Sequence, residues 1–219
     1  GKRLAISGFG NVGWGVVKKT AELGGKVVAI AGPDGYIYDP DGAVTDEKIN
    51  YLLEMRASGR DKVQDYADKF GCEFHAGEKP WGLGADKVDI MMPCATQNDV
   101  NMDSAKKIAA SGIKYYIEVA NMPTTNDALE FLKEQKHMVI APSKAVNACG
   151  VAVSALEMAQ NAERLYWTAE EVDAKMHQIM ANIYHSSVAA AERYGLGYDL
   201  VAGANIAGFL KVADAMLWQ

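Results

Sequence analysis

The chain has 219 residues, of which 49% are hydrophobic and 23% are charged, and its formal net charge is -6 at pH 7. This composition excludes an intrinsically disordered chain, and the length allows one ample core with an appendage. The negative charge gives no electrostatic footprint for nucleic acid or an anionic membrane, so neither is an expected partner.

The cysteines indicate a reducing compartment. Cys72, Cys94 and Cys149 are odd in number and widely spaced, which suits neither a disulfide framework nor a zinc cage, and the four histidines show no metal spacing. No apolar run reaches the ~18 residues that span a bilayer, and no signal peptide is visible. We therefore expect a cytoplasmic protein without a metal. The chain opens almost directly on a strand, so an N-terminal part is expected to be missing.

The opening stretch is an apolar strand with Leu4 and Ile6, followed by a full G-x-G-x-x-G turn and a helix. Gly8 permits the tight turn, Gly10 lets the backbone approach a pyrophosphate, and Gly13 allows close packing of helix on strand. The helix N-terminus offers unpaired N–H groups to the anion. The turn predicts a dinucleotide site, although methyltransferases use similar loops.

A second apolar strand, 27–30, leads to Asp34, which follows Gly13 at about the 20-residue distance typical of the acid that binds the adenosine ribose. Because Asp34 precedes a glycine, it is also typical of a solvated turn aspartate. An acid here repels a 2′-phosphate, and no Arg or Lys is its sequence neighbour. NAD is therefore favoured over NADP.

The next segment predicts a short extended piece at 36–38, helices from Thr45 to near Gly59 and over 63–70, and a loop at 78–84.

Three further strands, predicted at 88–92, 113–118 and 138–141, are each followed by small polar residues. Ligands of open α/β sheets bind at the carboxyl ends of the strands, and amides donate and accept hydrogen bonds. These side chains suit a carboxamide and a ribose, although Thr96 or Asn98 could equally cap the following helix. The residues are Thr96, Gln97, Asn98, Asn121 and Asn147.

For two other residues, the neighbouring sequence favours a structural role over a chemical one. Cys94 has no histidine near it in sequence, so a nucleophilic role is disfavoured. Ser154 lies within a helix predicted over 151–164 and is expected to bond a preceding carbonyl.

A capping box at Thr168 and Glu171 starts a long helix that runs to about Gly195, and an amphipathic helix closes the chain. The fold class is α/β: a Rossmann-type, doubly wound, mostly parallel sheet with flanking helices and a C-terminal helical segment. We expect a dinucleotide-binding core at 1–164 and C-terminal helices at 165–219 that pack on it.

The chain resembles the coenzyme-binding domain of glutamate dehydrogenases, and in particular that of NAD-dependent, hexameric bacterial enzymes. The resemblance covers nearly the whole chain and rests on specific stretches. These are GFGNV (8–12), PCATQN (93–98), EVANMPTT (118–125), PSKAVNA (142–148) and WTAEEVD (167–173).

The resemblance implies roles for individual residues along the cofactor. The adenosine and pyrophosphate would be held by the glycine-rich turn and the acid after the second strand, and the nicotinamide end by the later strand ends. The first group is Gly8, Phe9, Gly10, Asn11, Val12, Gly13, Pro33 and Asp34; the second is Cys94, Ala95, Thr96, Gln97, Asn121 and Asn147.

The resemblance also implies that Ser154 contacts the side-chain carboxylate of the substrate and that Val151 lines that pocket, which reverses the local interpretation of Ser154. The implied reaction is oxidative deamination of L-glutamate to 2-oxoglutarate and ammonia. In this family the lysine and aspartate of proton transfer lie in a preceding substrate domain, and no such segment is in this sequence. The chain alone is thus expected to bind NAD(H) without catalysis, as a monomer or weak oligomer of a hexameric parent.

The sequence departs from the family pattern in two places, and it leaves three alternative functions open. Cys149 stands where the family usually has a glycine, which would hinder a positive φ after Asn147, and the loop at 81–86 is slightly longer than in relatives. The alternatives are a leucine, phenylalanine or valine dehydrogenase, disfavoured by Ser154; an NAD(H)-sensing module without chemistry; and a methyltransferase.

Overall fold

The computed structural model describes residues 1–218, which fall into two compact units. The first unit is Gly1–Met138 and the second begins at Val139. The sequence places its boundary later, after residue 164, and that functional division stays a prediction.

The first unit contains six strands in the order β4-β3-β2-β1-β5-β6. Pairing is parallel between β1 and β2, β1 and β5, and β5 and β6, whereas β3 runs antiparallel to β2 and β4. The sheet is therefore mostly parallel, and the chain reverses its direction of winding at β1, where such sheets bind ligands. The strands are β1 (Arg3–Ser7), β2 (Lys26–Ala31), β3 (Gly35–Tyr38), β4 (Glu73–Ala76), β5 (Ile90–Pro93) and β6 (Tyr115–Ile117).

Five helices flank this sheet, and the helices predicted from the sequence are all present. They are α1 (Asn11–Glu22), α2 (Asp46–Ala57), α3 (Gln64–Phe70), α4 (Met102–Ala110) and α5 (Asn126–Lys133). Strand β4 was not predicted, because its four residues, EFHA, are all at least partly exposed and show little apolar periodicity. The predicted loop at 78–84 contains a short 3-10 turn at Pro80–Gly82.

The core of the first unit lies around β1 and β2. Ala5, Ile6, Ala29 and Ile30 have no exposed surface, since a parallel strand flanked by helices is buried on both faces. The continuous apolar runs of the sequence therefore become the central strands, and their carboxyl ends carry the glycine-rich turn and Asp34.

The second unit contains one strand and four helices among its described residues. These are β7 (Val139–Ala141), α6 (Ser143–Val146), α7 (Ala148–Glu163), α8 (Ala169–Arg193) and α9 (Leu200–Met216). The predicted capping box of α8 is confirmed, with Thr168 Oγ1 accepting from the N–H of Glu171 at 3.2 Å. No helix within residues 1–218 is long and apolar enough to cross a membrane.

The start predicted for α7 is wrong. The helix begins at Ala148 rather than Val151, so Cys149 and Gly150 form its first turn. Asn147 has a φ of -86° and Cys149 is not in the left-handed region, so the hindrance expected from Cys149 does not arise in this structure. Cys149 fits because a helical backbone suits any L residue.

Candidate functional site

The glycine-rich turn is tight and closely packed. Gly8 has a φ of +81°, and its N–H donates to the carbonyl of Ala31 at 2.7 Å. A Cβ on Gly8 would lie 2.8 Å from Cα of Ala95, closer than real contacts allow. Gly8 therefore permits the turn after β1 to lie against the segment that follows β5.

The other two glycines of the motif have contrasting surroundings. A Cβ on Gly13 would overlap the carbonyl of Gly8, whereas a Cβ on Gly10 would meet no atom within 4 Å. Glycine at position 10 is thus not required by the protein's own packing. An open cradle beside the turn fits the approach of a phosphate to the backbone.

The start of α1 is suited to an anion. The N-cap residue of α1 is Gly10, so no side chain accepts a hydrogen bond from the first N–H groups of the helix. The first turn of α1 carries no acidic residue. Asn11 and Val12 are exposed there. The first N–H groups of a helix carry partial positive charge and need partners, so a phosphate would satisfy them.

Asp34 lies just beyond β2, where the sequence predicts it, and it contacts the start of α3, a contact that the sequence does not indicate. Its Oδ1 accepts from the N–H of Val63 at 2.9 Å, and its Oδ2 accepts from the N–H of Gln64 at 3.1 Å. An ionised carboxylate has about four acceptor positions, so ribose hydroxyls could still donate to it. The ribose contact stays a prediction.

The two residues expected to shape the adenosine pocket differ in exposure. Pro33 is exposed, whereas Phe9 is 3% exposed and belongs to the core. The ring of Phe9 lies 3.1 Å from the place where a Cβ on Gly32 would be. Phe9 therefore supports the tip of β2, and only Pro33 faces solvent freely.

The segment after β5 starts buried and ends exposed. The N–H of Cys94 donates to the carbonyl of Ser7 at 3.0 Å, and the Cys94 residue is 4% exposed. Burial, with a further contribution from the charge of Asp99, raises the pKa of Cys94 to about 12. The thiolate is disfavoured, which agrees with the expectation that Cys94 is no nucleophile. Ala95 is half-buried, and Thr96 and Gln97 are exposed.

The segments after β5 and β6 are joined by backbone hydrogen bonds. Asn98 donates to the carbonyl of Met122 at 3.0 Å, and Val100 donates to that of Pro123 at 2.9 Å. Asn98 and Met122 both have positive φ, at 57° and 45°. Non-glycine residues in this region are uncommon and cluster at functional sites. The exposed Asn121 lies in the second of these segments.

The alternative that Thr96 or Asn98 caps the next helix is wrong. The N-cap of α4 is Asn101, whose Oδ1 accepts from the N–H of Ser104 at 3.0 Å. Thr96 and Asn98 therefore do not cap α4. Within the first unit, the structure thus brings Gly8, the segment 94–98 and the segment 120–122 together at the carboxyl ends of the parallel strands β1, β5 and β6.

Comparison with known proteins identifies the family of the chain. The sequence profile described as Glutamate/Leucine/Phenylalanine/Valine dehydrogenase matches residues 1–219. The chain belongs to this family. An NAD-specific glutamate dehydrogenase of Clostridium symbiosum is 70% identical, over all of this chain and 48% of that protein. One of Porphyromonas gingivalis is 53% identical over the same shares.

A solved glutamate dehydrogenase structure has a TM-score of 0.96 and 70% identity, covering 100% of this chain and 48% of that one. The mostly parallel α/β fold of this family is thereby confirmed. The chain spans about half the length of the curated relatives it matches.

The second unit of this family member carries the remaining predicted residues. Asn147 is half-buried at the junction of α6 and α7, and Val151 and Ser154 are exposed on one face of α7. Ser154 Oγ donates to the carbonyl of Gly150 at 3.4 Å, the bond expected on local grounds. That bond is long, so the hydroxyl remains open to another partner.

The hydrogen-bond partners of Asp34 are not indicated by the sequence. Val63 and Gln64 contribute only backbone N–H groups and lie about 30 residues further along the chain, so no local pattern indicates them. The fold also places Lys62 directly before an amide that contacts Asp34, although no basic residue is its sequence neighbour. Within residues 1–218, no group of three or more His, Cys, Asp or Glu residues could hold a metal ion.

Proposed function

We propose that this chain is the NAD(H)-binding half of a glutamate dehydrogenase. The observation that carries the proposal is the open cradle at Gly10 in front of the uncapped start of α1. It is supported by Asp34 at the end of β2 and by the relatives that are named NAD-specific glutamate dehydrogenases. A methyltransferase loop is disfavoured by this family membership.

Each part of the site has a distinct task in this proposal. The N–H groups at the start of α1 bind the pyrophosphate, and Asp34 accepts from the adenosine ribose while Pro33 shapes that pocket. The exposed Thr96 and Asn121 bind the nicotinamide ribose and carboxamide, and Asn147 is proposed to bind the same end of the cofactor. Their amide and hydroxyl groups can donate and accept, which suits the neutral carboxamide and the ribose hydroxyls at this end of the cofactor.

The cofactor, when bound, supplies the hydride acceptor for the α-carbon of L-glutamate. The whole protein would convert L-glutamate, NAD⁺ and water to 2-oxoglutarate, ammonia and NADH, and it would be a homohexamer. Ser154 would bind the side-chain carboxylate of the substrate, with Val151 lining the pocket. This favours glutamate over the apolar substrates that other members of the family use.

The preference for NAD over NADP follows from Asp34. A carboxylate at the ribose repels the 2′-phosphate of NADP, because like charges at short distance disfavour binding. We expect NADH to bind more tightly than NADPH in parallel calorimetric titrations. Equal affinities would remove Asp34 from this role, and preferential binding of S-adenosylmethionine would replace the proposed function altogether.

A substitution at Gly10 tests the pyrophosphate site. Gly10→Ala should weaken NADH binding at least tenfold, about 1.4 kcal/mol, because the added methyl group takes the space of a phosphate. The melting temperature of the free protein should fall only slightly, because the methyl group meets no protein atom within 4 Å and the only expected cost is the weaker N-cap preference of alanine. NADH fluorescence titration and thermal melting measure the two effects.

Gly15→Ala is the matched control. Gly15 is the fifth residue of α1, and a Cβ there also meets no atom within 4 Å. Alanine within a helix is favoured by up to about 1 kcal/mol, so this variant should keep its NADH affinity and melt no lower. If both variants bind NADH like the parent protein, the pyrophosphate does not lie at this turn.

A further inference from the structure

Asp34 is bound through both of its carboxylate oxygens. The N–H groups of Val63 and Gln64 donate to Oδ1 and Oδ2 at 2.9 and 3.1 Å. Two donors on two oxygens hold the plane of the carboxylate as well as its position. The residue proposed to select the cofactor is thus held by backbone groups of α3.

Asp34 is in turn the cap of that helix. The N-cap residue of α3 is Val63, whose side chain cannot accept a hydrogen bond, and no side-chain cap comes from it. The first N–H groups of a helix need acceptors from outside the helix. Asp34, far away in sequence, supplies them.

Helix α3 is itself firmly attached to the rest of the first unit. The hydroxyl of Tyr66 donates to Oδ2 of Asp39 at 3.1 Å, and Asp39 is paired with Lys48 at 2.6 Å. Tyr66 and Val63 have no exposed surface. The amides that hold Asp34 therefore sit on an element that has little freedom to move.

Side chains crowd the same point from another direction. The place where a Cβ on Gly32 would be lies 2.9 Å from Cγ1 of Val63, 3.0 Å from Oδ1 of Asp34 and 3.1 Å from Cε1 of Phe9. A side chain at position 32 would therefore have to displace one of these atoms, so glycine leaves the space that the Asp34 carboxylate uses. The orientation of the carboxylate itself is fixed by its two hydrogen bonds to α3.

We infer that the first turn of α3 aims Asp34, and that Val63 is a positioning residue for the discrimination between NADH and NADPH. The inference rests on the proposed function, because it explains how the ribose-binding carboxylate is held. Loss of the Val63 N–H frees one carboxylate oxygen, and the charge that repels a 2′-phosphate is then no longer fixed.

Two substitutions at position 63 separate the N–H group from the side chain. Val63 has a φ of -72°, which a proline ring accepts, so Val63→Pro removes the N–H without requiring a new φ. Val63→Ala shortens the side chain and keeps the N–H. We expect the ratio of the NADPH to the NADH dissociation constant to stay within about twofold of the parent's in Val63→Ala and to fall at least about fivefold in Val63→Pro. Equal ratios in the two variants would overturn the inference.

A second measurement tests whether Asp34 caps α3, and it can be made even if Val63→Pro does not fold. Asp34→Ala, melted without cofactor, should unfold about 3 °C or more below the exposed control Asp41→Ala, because α3 loses its cap. Equal melting temperatures would refute the link between Asp34 and α3. This test is independent of cofactor binding, so a parent protein that binds neither NADH nor NADPH would disprove the proposed function and not the cap.

Discussion

At the scale of single residues, Asp39 is a buried carboxylate with a hydrogen-bond partner on each oxygen. Its side chain is 5% exposed and that of Lys48 is 17% exposed, with 2.6 Å between Lys48 Nζ and Asp39 Oδ2. Lys48 also donates to the carbonyl of Gly42 at 3.2 Å. Burial, reinforced by the charge of Asp39, raises the pKa of Tyr66 well above its usual range, so the phenol stays a donor.

Removal of one partner from this pair should be costly, because it leaves the other charge buried and uncompensated. We expect Lys48→Met to lower the free energy of unfolding by about 3 kcal/mol in urea titrations at neutral pH. Lys19→Met is the control, since Lys19 forms an exposed pair with Glu22 and should cost about 0.5 kcal/mol or less. Similar losses of unfolding free energy in the two variants would show that the buried pair stabilises the protein no more than the exposed pair does.

At the scale of elements, β1 is joined to the segment before β5 by Arg3 and Asp89. The backbone N–H of Arg3 donates to Oδ2 of Asp89 at 2.8 Å, and its Nε lies 3.2 Å from the same oxygen. The carbonyl of Arg3 accepts from the N–H of Asp89 at 2.8 Å. The side-chain hydrogen bond from Arg3 holds the pKa of Asp89 below its usual value, against the opposing effect of burial.

This lowered pKa predicts a dependence of stability on pH. A carboxyl group with a lower pKa in the folded state stabilises the protein above its unfolded-state pKa, near 3.8, and loses that contribution as the pH falls through the folded value. Urea unfolding between pH 3 and 6 should therefore show a smaller acid-induced loss in Asp89→Asn than in the parent. The exposed Asp61→Asn should keep the parent's profile, and an unchanged slope in Asp89→Asn would contradict the assignment.

The helix starts show how far local patterns predict elements. Thr168 and Glu171 form the cap that their spacing predicts, because a capping box involves only residues three apart. For α7 the sequence predicts too late a start because Gly150 resembles a helix boundary, whereas the structure has helical backbone from Ala148. For α3 the cap comes from Asp34, and local sequence contains no sign of it.

At the scale of the whole molecule, the chain spans 48% of the length of the relatives it matches, and Val151 and Ser154 are exposed on α7. Hydride transfer needs both reactants held in one geometry, and such positioning can supply ~7–11 kcal/mol of the barrier. We expect the purified chain to bind NADH with negligible oxidation of L-glutamate, followed as NADH absorbance. Turnover near the rate of a complete glutamate dehydrogenase would contradict this expectation.

Local sequence patterns are enough to predict the α/β class, the strand ends that carry polar side chains, and the glycine-rich turn with Gly8, Gly10 and Gly13. These features depend on residues close together in the chain, where steric limits and periodicity act directly. Tertiary structure alone decided that Gly8 lies against Ala95, that Asp34 is held by α3, and that Asp39 pairs with Lys48 and Tyr66. Contacts between distant segments depend on how the strands are ordered and the helices packed, and no local pattern records that arrangement.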